Sequence, residues 1–185
     1  MNRALTIAGA CLLLAVTPCW SQSKKDPLTE KQIEDVREAG DDPLVRIKLF
    51  IGYVEERTKD IHSLATTLTA QNREVRIHNL MDEFTRLSDD LQDNMDEFNE
   101  QHADFRKALK ELVEKSTAWT AILNEPKPSP QYDFVRKTAL DANQSVHDGS
   151  VQMLADQEKY FAEKKKAEKE AQKKAEQDQK NSETR

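Results

Sequence analysis

The sequence predicts an all-α protein: an elongated antiparallel helical bundle of three long helices and one short one, coiled-coil-like, ending in a charged C-terminal tail that is helical or disordered. Three observations carry that expectation. Four glycines and six prolines in 185 residues, with 34% charged residues, leave little turn chemistry for a many-stranded sheet. A hydrophobic fraction of 37% with only 6% aromatics suits long helices that each bury one narrow stripe. Apolar residues also recur at steps of three and four over most of the chain, the period of a helix face.

The elements follow in order. Residues 1–21 read as a secretory signal peptide. A basic start at Arg3 precedes an apolar run from Ala4 to Val16 and a polar stretch beginning at Thr17-Pro18. The run is too short for a bilayer, which takes about 20 residues. Small side chains at Cys19 and Ser21 place cleavage after Ser21. Cys11 and Cys19 are the two cysteines of the chain, so export leaves a product with no disulfide, no thiolate metal site and no cysteine nucleophile. The expected location is the periplasm or the exterior, without stable membrane insertion once the signal is gone.

Residues 22–28 form a flexible lead. Thr29 with Gln32 makes a capping-box pattern that opens a short helix near 30–39, and Gly40 ends it. Asp42-Pro43 is a stronger start, an acidic cap before a proline whose missing N–H costs nothing in the first turn. Leu44, Ile47, Ile51, Val54, Ile61, Ala65 and Leu68 then mark one face running to about residue 70. A tight turn is expected around Gln71-Asn72, because a helix unbroken from 43 to 124 would be roughly 120 Å long.

From 73 to 124 the spacing predicts one long helix. Its seam is Ile77, Leu80, Phe84, Leu87, Leu91, Met95, Phe98, His102, Phe105, Leu109, Leu112, Ser116, Trp119 and Leu123, with a stutter of two successive four-residue steps from Leu87 to Met95. Three prolines between Glu125 and Pro130 forbid helix and make a stiff loop. The last helix is expected from 131 to about 165, striped by Val135, Ala139, Ala142, Val146, Gly149, Met153 and Tyr160. Its small residues should allow close approach opposite the bulky Phe and Trp side chains of the preceding helix. The bundle domain is thus 29–161. Residues 162–185 are a low-complexity tail of Ala, Glu, Lys and Gln, with pairs such as Lys164/Glu168 and Glu170/Lys174 supporting an exposed helix that frays toward Arg185.

Three constellations were candidates for chemistry. Between His78 and Asp104 the carboxylates Asp82, Glu83, Asp89, Asp90, Asp93, Asp96, Glu97, Glu100 and Asp104 face one base, Arg86. Such a run is first a solvated face, and second a docking strip for a basic partner or a weak cation site. Hard cations want six or more converging oxygens, which the outside of one helix does not offer. His62, His78, His102 and His147 include no i,i+4 pair and no HExxH. His102 sits on the seam, as a plain core histidine or as a protonation switch. The tail carries a net charge of +2 and leaves residues 22–161 at −9. Its interleaved glutamates and lack of aromatics speak against nucleic acid.

No glycine-rich phosphate loop, Gly-x-Ser-x-Gly or Ser-x-x-Lys is present. No catalytic, cofactor or metal residue is therefore assigned. The expected role is non-enzymatic: an exported helical bundle acting in the cell envelope by protein–protein interaction or as structure, with a second copy or an envelope protein as partner. The alternatives are a client or ligand binder that opens to expose its Phe-rich seam as a chaperone would, and a metal- or cofactor-binding bundle using His102 with carboxylates.

Overall fold

A computed structural model describes residues 26–183, with side chains described through residue 177; the expected signal peptide and most of the expected lead fall outside the described residues. Five helices are present among them: α1 (Glu30–Ala39), α2 (Pro43–Thr66), α3 (Arg73–Glu100), α4 (Arg106–Leu123) and α5 (Asp133–Glu183). Local chemistry sets most of the boundaries. The Thr29 hydroxyl accepts from the Gln32 N–H at 3.2 Å while the Gln32 side chain accepts from the Thr29 N–H at 3.0 Å, which closes the capping box of α1. The Asp42 carboxylate accepts from the Val45 N–H at 3.0 Å, and Pro43 occupies the first turn of α2.

Helices α2 to α5 enclose one core, and their cross-contacts give the pairing. Arg57 on Glu83 and Arg73 on the Leu64 carbonyl run α2 antiparallel to α3. The ion pairs Lys48–Glu111 and Lys115–Glu55 run α2 parallel to α4. Ser129 on Glu74 and Gln157 on Asn99 set α5 parallel to α3, whereas Asn143 on Thr120 and Lys110 on Glu158 set it antiparallel to α4. Helices α3 and α4 therefore lie on a diagonal, each packed between α2 and α5. Phe84 and Trp119 meet edge-to-face across that diagonal with ring centroids 6.1 Å apart. The short α1 lies outside, on α2, held where the buried Arg57 guanidinium donates to the Pro27 carbonyl and Gln32 donates to Glu56 at 2.8 Å.

The all-α bundle expected from the periodicity forms, but the rod expected over 73–124 is two helices. At residues 101–105 the chain turns a corner. His102 adopts φ 55°, the Ala103 N–H donates to the Phe98 carbonyl and the His102 N–H donates to the Asn99 carbonyl, which is a Schellman end with histidine in the left-handed position usually held by glycine. Phe98 and Phe105 flank the corner and pack edge-to-face at 6.5 Å, both buried. The apolar spacing continues through the break because both sides of the corner feed the same core.

Three smaller expectations also change. Helix α2 stops at Thr66, with Thr66 donating back to its own helix carbonyls, and Leu68 stands exposed in the turn. The buried face of α3 is wider than one seam: Leu87, Leu91 and Met95 are all fully buried, and buried Met81 and Ser88 complete a regular alternation through Ile77, Phe84, Leu91, Met95 and Phe98. On α5, Ala139 is fully buried, but the space at Gly149 is taken by the Gln92 side chain, with no Phe or Trp there. The tail is helical through Glu183, continuous with α5.

Candidate interaction surfaces

All of the acidic stretch but Asp104 lies on α3, whose buried seam faces α2 and α5 and turns the intervening residues outward. Asp89, Asp93, Asp96, Glu97 and Glu100 are exposed on that helix. Their spacing of three, four and seven residues keeps them on one side. Three carboxylates of the run have basic neighbours: Asp82 pairs with Arg86 at 3.2 Å, Glu83 with Arg57 at 2.9 Å and Asp104 with Arg106 at 2.7 Å. Partial desolvation, followed by the charge of Asp93, raises the Asp89 and Asp90 carboxyls above the usual aspartate range. This face is thus electrostatically undercompensated. Where a base is in reach the opposite holds: the hydrogen bond from Lys115 depresses Glu55, and the fork from Arg106 depresses Asp104.

The second surface is the projecting part of α5. The helix leaves the bundle beside the α3–α4 corner, where the His102 ring stacks on Tyr160 at 4.7 Å and the Arg106 guanidinium sits 4.6 Å over the Phe161 ring. A small cavity of about 150 Å³ lies there among Asn99, His102, Asp156, Gln157, Tyr160 and Phe161, and a larger, charged cleft of about 360 Å³ opens near Lys107 and Lys110. Past Phe161, every residue from 162 to 177 is exposed. About 22 residues of helix thus extend from the bundle, roughly 33 Å at 1.5 Å per residue.

The histidines do not converge. His62 meets Glu125, His147 meets the Ser116 hydroxyl at 2.9 Å, and His102 is exposed at the corner instead of lying on a seam. Among the described residues, no group of three or more His, Cys, Asp or Glu side chains is placed to hold a metal ion. What the sequence reading missed is a polar seam on α5. Asn143, Ser150 and Gln157 are buried between Ala139, Val146 and Met153 in strict steps of four and three. Asn143 donates to the Ser116 carbonyl at 2.8 Å and to Thr120 at 2.7 Å, and Ser150 donates to the Val146 carbonyl at 2.6 Å. The signal was available in that spacing, but only to a reading that admitted polar residues onto the stripe.

Fold and surfaces together define an all-helical bundle with one long, charged helix displayed beyond its core. No family model, curated protein or solved structure matches the chain. Among the described residues no helix is long and apolar enough to cross a membrane.

Proposed function

We propose that this protein is an exported, non-enzymatic bundle that acts in the cell envelope by presenting its projecting C-terminal helix to a protein partner. The observation that carries this reading is that α5 continues far past the last residue it needs for packing, with residues 162–177 fully out of the core. An extension whose residues 162–177 bury nothing adds little to the stability of the bundle, so its use lies outside it. The extension is built to hold its shape alone, through Ala, Glu and Lys of high helix propensity and charge pairs such as Lys164/Glu168 and Glu170/Lys174 at i,i+4.

The other two readings have less support. A chaperone-like opening would have to unseat Phe84, Phe105, Leu109 and Trp119, which are at most 2% exposed and packed around one continuous core. A metal or cofactor bundle has no convergent ligand set among the described residues. The test is capture from envelope extract with the full chain and with a chain ending at Phe161. Loss of a specific partner on truncation is expected; a partner retained equally by both chains would refute the role of the tail.

A further inference from the structure

We infer that the partner of the projecting helix is a second copy of this chain, and that the helix docks antiparallel along the acidic face of that copy's α3. This deepens the proposed function and rests on its reading of the tail as an interaction element.

With Lys173 set against Asp89, an antiparallel alignment brings Lys169 to Asp93, Lys166 to Asp96 and Lys165 to Glu97. The same alignment places Glu176 against Arg86, the one base in the acidic stretch. Glu163, Glu168 and Glu170, the remaining acids of the tail before Glu176, fall opposite Asn99, Asn94 and Gln92, so no like charges face each other over this length. The agreement extends to the sign reversal at Arg86, which a merely basic tail on a merely acidic face would not reproduce.

Helix geometry lets these pairs form on single faces. Residues seven apart return to within about 20° on an α-helix. Lys166 and Lys173 therefore share a face, as do Asp89 and Asp96, and Lys169 and Asp93 fall within the same stripes. From Lys165 to Lys173 and from Asp89 to Glu97 the rise is about 12 Å in each case. The four tail lysines are exposed, as are the four carboxylates of α3, and none of these eight residues has an ion pair across the bundle. The like-charge crowding of Asp89 by Asp93 would be offset by arriving ammonium groups.

The direction of the chain fits as well. Helix α3 ends at the same end of the bundle from which α5 departs, as Gln157 on Asn99 and His102 on Tyr160 mark. A second copy approaching that end inverted offers Glu97 and Asp96 first, and Lys165 and Lys166 are among the first tail lysines to arrive. The contact is reciprocal under a two-fold axis, so each molecule gives one tail and receives one, a closed dimer.

The experiment is sedimentation velocity of the full chain against concentration and salt, with two charge-reversed chains. One carries Lys165→Glu, Lys166→Glu, Lys169→Glu and Lys173→Glu; the other carries Asp89→Lys, Asp93→Lys, Asp96→Lys and Glu97→Lys. The unaltered chain should dimerise at low salt and lose at least about tenfold in association by roughly 0.5 M salt, since exposed charge pairs are screened. Each reversed chain alone should be monomeric. Mixed one to one they should form a heterodimer, because each tail, reversed or unaltered, then meets a face of opposite sign. An unaltered chain that stays monomeric at low salt and about 0.5 mM, or a tail-reversed chain that still dimerises, would overturn the inference without requiring the multiply substituted α3 to fold. If the chain is monomeric but truncation at Phe161 still abolishes capture of another envelope protein, the self-docking fails and the role of the tail stands; if neither occurs, both fail.

Discussion

Substituting His102 separately by Gly and by Ala distinguishes a corner from a continuous helix by the sign of one difference. At φ 55° an L-residue meets the left-handed penalty, about 1–2 kcal/mol for a residue with a Cβ. Glycine removes that cost, but loses about 0.5–1 kcal/mol through unfolded-chain entropy and about 0.5–1.5 kcal/mol from the ring stack with Tyr160. His102→Gly should therefore be close to neutral. His102→Ala gives up the stack, keeps the strain and loses the preference histidine has for this region, so it should cost about 1–1.5 kcal/mol. Glycine should exceed alanine in stability by about 1 kcal/mol. In an unbroken helix the order inverts, with alanine better by about 1 kcal/mol. Urea unfolding followed by far-ultraviolet circular dichroism resolves a swing of that size. An alanine variant more stable than the glycine variant would refute the corner at 101–105.

Three further outcomes follow from the packing and the charges. Asp89→Asn with Asp90→Asn should stabilise the bundle at pH 7 by about 0.5 kcal/mol, because the raised carboxyls contribute stability that is complete below their unfolded range and lost as pH rises through the folded one. The gain should vanish below about pH 4 in urea titrations at several pH values. Phe84→Ala removes a fully buried ring from the α3–α4 diagonal and should cost about 3–5 kcal/mol by the same unfolding assay. Ending the chain at Phe161 should leave the unfolding free energy within about 0.5 kcal/mol of the full chain while lowering total helical ellipticity, since residues 162–177 bury nothing.

The helix boundaries written in local chemistry were legible. The Thr29–Gln32 box, Asp42-Pro43 and the proline loop after Glu125 act within a few residues, and the structure places helix ends beside each. The corner at His102 was not, because a heptad pattern reports only which residues reach a core. Phe98 and Phe105 reach the same core from either side of a reversal, and their spacing matches that of an unbroken helix. The polar run from Asn99 to Asp104 around a histidine tolerant of positive φ was the available hint. The stutter read on α3 reflects a buried face wider than one seam: Leu87 is fully buried and Leu80 packs on the core, while Met81 and Ser88 keep the strict spacing beside them. Of the interaction surfaces, the sequence exposed the charge of both, and the structure added that the tail is a helix and that α3 turns its carboxylates outward, which together give them a common register.

The projecting helix is the element with which this protein reaches its partner. Photo-crosslinking in intact cells tests it most directly, with a photoreactive amino acid placed singly at Ala167 or Ala171 on the tail and at Asp60 on the exposed side of α2. Specific protein adducts from both tail positions and none from Asp60 are predicted. Adducts from Asp60 with none from either tail position would contradict it.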